Sequence, residues 1–102
     1  MLKVYNMTSE CTGREVANQF VIESDNKIVF QSYSSTIVEI DEAEKTVTVH
    51  PHWDYSVTTG KYRNQFMDYH CFDQMANKKG FEKAMKEGKT KRGLTEYTVK
   101  VA

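Results

Sequence analysis

Three histidines, two cysteines, a cluster of carboxylates and a run of lysines are the residues whose types and spacing suggest chemistry. His50-Pro51-His52-Trp53-Asp54, with His70-Cys71 further on, supplies possible zinc ligands. Zinc needs about four ligands converging in a tetrahedron. His50 and His52 share one strand face if extended, but Pro51 between them twists that geometry. Their spacing to His70-Cys71 matches no zinc-finger pattern. A cysteine nucleophile would pair Cys71 with His50 or His52, because adjacent helical side chains such as His70 and Cys71 point apart. There is no G-x-S-x-G elbow, no phosphate-binding glycine loop and no H-E-x-x-H. Glu39, Asp41, Glu42 and Glu44 fall on a turn, where carboxylates are usually solvated rather than tuned for acid–base work. These features predict ordinary surface or half-buried histidines, no metal, no cofactor and no enzyme. Cys11 and Cys71 read as free thiols of a reducing cytoplasm.

The lysines form the stronger signal. Residues 1–77 carry six basic and eleven acidic side chains, a net of −5. Residues 78–92 carry Lys78, Lys79, Lys83, Lys86, Lys89, Lys91 and Arg92 against Glu82 and Glu87, a net of +5. Two acids cannot neutralise seven bases, so some must face solvent or a partner. The same pattern also fits the solvated face of an amphipathic helix. Aromatic side chains on strands suggest a second surface. Phe20 and Phe30 are expected in the core. Tyr5 and Tyr33 are expected at a partner surface, because tyrosine offers large contact area at low entropic cost. No RRM-type, KH-type or cold-shock signature accompanies them.

The elements that position these groups follow from periodicity. Residues 2–7, 16–23, 27–33, 36–40 and 46–50 alternate as short strands, an antiparallel meander broken by polar turns. Pro51 stops the last of these. Tyr62, Phe66, Tyr69 and His70 then recur on one helical face, with Ser56, Thr58 or Thr59 as N-cap. A second helix starts after Asn77, carries Phe81, Ala84 and Met85, and meets Gly88 as its C-terminal glycine. Residues 89–93 read as a basic loop, and 94–101 as a closing strand. The expected fold is α+β: an antiparallel sheet of five or six strands with two helices, about 57–76 and 78–88, on one face, in a single domain over 1–102.

Composition agrees. The 102 residues carry 14 basic and 14 acidic side chains, with 39% hydrophobic and 12% aromatic residues. A net charge of zero argues against a histone-like protein and against a uniformly acidic DNA mimic. The aromatic content argues against disorder. No apolar run reaches membrane-spanning length, and the first residues lack the apolar core of a secretory signal.

Several blocks carry a resemblance. They are Val4-Tyr5-Asn6-Met7-Thr8-Ser9, Thr12-Gly13-Arg14-Glu15-Val16-Ala17-Asn18-Gln19-Phe20, Phe30-Gln31-Ser32-Tyr33, and the stretch from Trp53-Asp54-Tyr55-Ser56 to Gln65-Phe66. Through them the chain resembles a family of small proteins encoded by phages and mobile elements of Gram-positive bacteria, over about residues 4–66. The resemblance implies a setting rather than a chemistry. Small accessory proteins of such elements often act stoichiometrically on host machinery, and anti-CRISPR inhibitors are a well-represented class. The function expected from this is a non-enzymatic cytoplasmic protein that binds and inhibits a host defence macromolecule, such as a CRISPR effector nuclease or its guide-RNA complex. Its contact residues would be Lys78, Lys79, Lys83, Lys86, Lys89, Lys91, Arg92, Tyr5 and Tyr33. The alternative is a small nucleic-acid-binding protein that uses the basic 78–92 segment.

Overall fold

The computed structural model describes residues 2–102. The meander is present as β1 (Lys3–Thr8), β2 (Glu15–Glu23), β3 (Lys27–Ser32), β4 (Ser35–Asp41) and β5 (Thr46–Val49), each antiparallel to the next. Its turns are chemically specified. Gly13, at φ 72°, donates its amide to the Ser9 carbonyl at 2.8 Å. Asp41 Oδ1 accepts the amides of Ala43 and Glu44 and so bends the chain between β4 and β5. Tyr5, Val21, Phe30, Val38 and Val49 are successive partners across the five strands and lie on one face. One irregularity enlarges that face. Phe30 pairs with Val38 and Gln31 with Thr36, leaving Ile37 as an extra residue in β4. Ile37 and Val38, though adjacent, are both fully buried. Regular alternation would send one of them to the opposite side, and a bulge removes that constraint.

After β5 the chain forms α1 (Val57–Tyr69), a short 3-10 helix (Asp73–Met75) and α2 (Lys78–Glu87), then the hairpin of β6 (Lys89–Arg92) and β7 (Thr95–Val101). Ser56 caps α1, its hydroxyl accepting the Thr59 amide. Asn77 caps α2 in the same way through the Gly80 amide, and Gly88 ends α2 in the left-handed conformation at φ 72°. The first helix stops at Tyr69 rather than near residue 76. Cys71 takes a positive φ of 67°, which no helix accommodates, and the chain resumes only as a 3-10 turn.

The sheet differs from the expected one in count and direction. It has seven strands, in the order β1-β2-β3-β4-β5-β7-β6, and it is mixed. β7 runs parallel to β5 because two reversals separate them: the helical excursion brings the chain back as β6, opposite in direction to β5, and the β6–β7 hairpin turns it once more. The expected basic loop at 89–93 is largely the edge strand β6, antiparallel to β7. Lys89-Thr90-Lys91-Arg92 offers no apolar alternation to reveal a strand. It is recruited by hairpin pairing through Gly93-Leu94.

The helices cover one face. Phe66 of α1 stacks on Phe30 of β3 at 5.6 Å, and Phe72 meets Tyr97 of β7 edge-on at 5.0 Å. Met67, Phe72, Met75 and Phe81 complete a single core with the buried strand residues. Full burial of each such side chain contributes roughly 1.5–3 kcal/mol. On the other face of the sheet the described residues supply no covering layer. Phe20 pairs with Asn6 and Gln31 on that side and is only half-buried, so it is not the core residue that its type suggested.

Candidate functional site

The seven bases of 78–92 do not form one surface of equals. Lys78 Nζ is held at 2.8 Å by Asp54, whose carboxyl sits below its ordinary range because of that bond first and of Arg63 second. Arg92 forms a two-pronged pair with Glu42, at 2.8 and 2.6 Å, and also donates to the Tyr97 hydroxyl. Its guanidinium lies over the rings of Phe72 and Tyr97. That bond from Arg92 is the main reason the Glu42 carboxyl is held below its ordinary value. Arg92 is therefore a structural clamp that ties β6 to the β4–β5 turn.

The other five bases have no ion-pair partner among the described residues. Phe81 and Ala84 turn α2 onto the sheet, so Lys79, Lys83 and Lys86, at i, i+4 and i+7, fall along its solvent side. On β6, Thr90 is buried and Lys89 and Lys91 are exposed, as strand alternation requires. Lys83 and Lys89 line one groove together with Gln74, Gly80, Ala84 and Glu87. The helical ridge thus continues into the sheet edge as one basic rim. Gly80 sets how closely α2 approaches the 3-10 helix beneath this rim. A Cβ there would stand 1.8 Å from the Gln74 carbonyl oxygen.

The histidines and carboxylates are dispersed. His50 Nε2 and Glu39 Oε2 lie 2.7 Å apart on the open side of the sheet. His52 is exposed beside Tyr55, and His70 sits at the far end of α1. Cys11 and Cys71 are unpaired and exposed. Among the described residues no three His, Cys, Asp or Glu side chains converge on a point that could hold a metal. The carboxylates of the acidic turn instead serve structure: Glu39 meets His50, Asp41 caps the turn, and Glu42 holds Arg92.

The Trp53–Phe66 block is mostly architecture. Ser56 caps α1, and the Thr59 hydroxyl bonds to that of Ser32 at 2.9 Å. Arg63, 1% exposed, has its guanidinium over both the Trp53 and Phe81 rings, at 5.2 and 4.9 Å. It donates to the Trp53 carbonyl and to Asn64 Oδ1. Burial pulls its pKa down, and Asp54, at 3.5 Å, opposes that. Sequence reading missed Arg63 because a lone arginine on a helix normally faces water. The preceding Trp53-Asp54 was the available signal, since an aromatic ring and a carboxylate together match a guanidinium.

The two tyrosines lie apart. Tyr33, exposed, occupies the β3–β4 turn at φ 57°. A left-handed conformation costs a non-glycine residue about 1 kcal/mol. Tyr5 lies on β1, its hydroxyl 2.5 Å from Glu23, and burial followed by that carboxylate raises its pKa. Tyr5 borders a cleft of about 210 Å³ between β1 and α1, lined also by Met7, Val21, Phe66, Tyr69 and His70. Tyr69 was expected on the apolar helix face but is 77% exposed, standing at the mouth of this cleft.

No helix among the described residues is long and apolar enough to cross a membrane. No curated protein and no solved structure matches this chain. A family model does match, over residues 3–83, which takes in β1 to β5, α1 and the first half of α2 but leaves out β6 and β7. With four-fifths of its length covered by that model, the chain belongs to the family of unknown function DUF8033.

Proposed function

We propose that this protein is a non-enzymatic binding module that docks its basic rim on an acidic macromolecular surface of the host. In the setting that the sequence resemblance implies, the partner is a defence nuclease, a CRISPR effector or its guide-RNA complex, and the consequence of binding is inhibition. One observation supports the reading. Lys79, Lys83, Lys86 and Lys89 line two adjoining grooves at α2 without an ion-pair partner among the described residues, and Lys91 follows on β6 opposite Glu96, while the neighbouring Lys78 and Arg92 are engaged by Asp54 and Glu42. Uncompensated like charges repel one another, and an acidic surface relieves that repulsion. Electrostatic complementarity of this kind acts mainly on the association rate.

The test is a cleavage assay with guide-loaded CRISPR effector nucleases, in which the protein is titrated from below to above the enzyme concentration. The expected result is inhibition that saturates near stoichiometry and is lost on reversal of Lys79, Lys83 and Lys89 to glutamate. Parental inhibition by the triple variant would remove the rim from the mechanism. Salt separates the nucleic-acid alternative. Five phosphate contacts predict a loss on the order of 500-fold in affinity for duplex DNA between 50 and 200 mM salt.

A further inference from the structure

We propose that the cleft between β1 and the C-terminal half of α1 binds a small organic cation, an ammonium group carried on an aromatic or alkyl body. Its floor is apolar: Met7, Val21 and Phe66 are buried there. Its walls are aromatic. Tyr5 rises from β1 and Tyr69 from α1, and His70 presents its imidazole between Phe66 and Tyr69, at 4.7 and 5.0 Å from their rings. Aromatic faces attract a cation through their quadrupole and accept an apolar body equally well.

The charge is of one sign. No lysine or arginine lines the cleft. Glu23 stands behind Tyr5, accepting its hydroxyl hydrogen at 2.5 Å. Lys3, opposite Glu23 across the β1–β2 pair, forms no ion pair among the described residues. The nearest arginine acting on His70, Arg92, is already matched by Glu42. The His70 imidazole has no hydrogen-bond partner among the described residues, and its burial favours the neutral ring, which keeps one nitrogen free to accept.

An anion would be repelled by the field of Glu23 behind Tyr5. A purely apolar ligand would desolvate the imidazole without giving it a donor. An ammonium rests against the Tyr5 and Tyr69 rings in the field of Glu23 and donates to His70, while its body covers Met7, Val21 and Phe66. The cleft lies at the edge of the sheet opposite the basic rim, so this site stands or falls independently of the proposed docking function.

Such an ammonium has two sources, a free amine or a lysine side chain borne by a peptide, and the test carries an arm for each. Phenethylammonium, its uncharged analogue 2-phenylethanol and a short peptide with one lysine are titrated into the ¹⁵N-labelled protein, followed by amide and imidazole chemical shifts. Saturable shifts are expected at Tyr5, Gln65, Tyr69 and His70. For phenethylammonium the Kd should be on the order of 1 mM, the range open to a ligand of about nine heavy atoms. The alcohol should bind at least about tenfold more weakly, the ratio given by one lost charge-assisted hydrogen bond. Saturation by the peptide alone would assign the site to a protein-borne lysine. Glu23→Gln should reduce the preference for the cation, and Tyr69→Ala, at an exposed position, should weaken binding without altering the melting temperature. Equal binding of ammonium and alcohol, an unchanged preference in Glu23→Gln, or no saturable shift with either the amine or the peptide overturns the proposal.

Discussion

At the β1 edge the chain builds a cleft out of core residues and backs it with a carboxylate. At the β6 edge it sets five lysines on a rim above a thin layer, Phe81 and Ala84. Six inter-strand spacings separate the two edges, roughly 29 Å. That exceeds the screening length of about 8 Å at physiological salt, so the outer lysines and the β1 wall are screened from each other, and the Arg92–Glu42 pair, which acts on His70, is the electrostatic link between the two regions. The difference lies in what each shape depends on. The cleft exists because Phe66 stacks on Phe30, and any change there is also a change in the core. The rim exists because α2 turns its polar side outward, and its lysines are exchangeable without touching a packed atom. One region is tuned through packing and the other through charge.

The comparison is broken most strongly at Phe66. Replacing it with alanine removes the partner of Phe30 and the floor of the cleft, and should cost about 3–5 kcal/mol in urea denaturation. An unchanged midpoint would show that the cleft is not continuous with the core. Next is Gly80→Ala. Its new methyl meets the Gln74 carbonyl oxygen, so α2 must lift from the 3-10 helix, at a cost of about 1–3 kcal/mol. Because Lys79 and Lys83 flank Gly80, this is the one substitution expected to couple stability to the rim. Full parental stability would show that the 3-10 helix yields freely.

Acid titration probes the clamp beneath the rim. Arg92 holds the Glu42 carboxyl below its ordinary 4.5. The stabilisation is therefore complete above about pH 4.5 and is lost as pH falls through the lower folded value. Glu42→Gln should cost about 1–2 kcal/mol at neutral pH, the worth of a partly exposed charge-assisted pair, and should flatten the fall in stability below pH 4.5. A parallel acid limb in parent and variant would exclude the pair as its cause. The smallest effect belongs to the rim. Reversal of Lys79, Lys83 and Lys89 to glutamate should leave stability within about 1 kcal/mol of the parent, read from the melting temperature. A larger loss would mean that these lysines cover the core rather than face a partner.

Much of the fold was legible in single residues. Asn77 and Gly88 bracketed α2 correctly, because a cap is a local hydrogen bond and a left-handed glycine is a local conformation. The meander was legible in the alternation of β2 to β5, since side-chain direction in a strand follows the residue number. Phe20 and Ile37 were not, because the covered side of a strand, and the bulge that admits both Ile37 and Val38, depend on the neighbouring layer. The lysines were visible as a charge surplus. Nothing local distinguished Lys78 and Arg92 from the rest, because their partners Asp54 and Glu42 lie 24 and 50 positions earlier in the chain.

By itself the sequence determined the α+β class, the presence of two helices and the caps of α2, the antiparallel meander and the separation of charge between residues 1–77 and 78–92. All of these follow from periodicity, local hydrogen bonding or counting. Tertiary structure alone decided that β7 lies parallel to β5, that a polar tetrapeptide becomes the edge strand β6, that five of seven bases remain unpaired, and that Tyr5, Tyr69 and His70 meet across a cleft. The physical reason is common to all four. Each requires two segments far apart in sequence to meet in space, and the free energy of that meeting resides in the shared core, not in either segment.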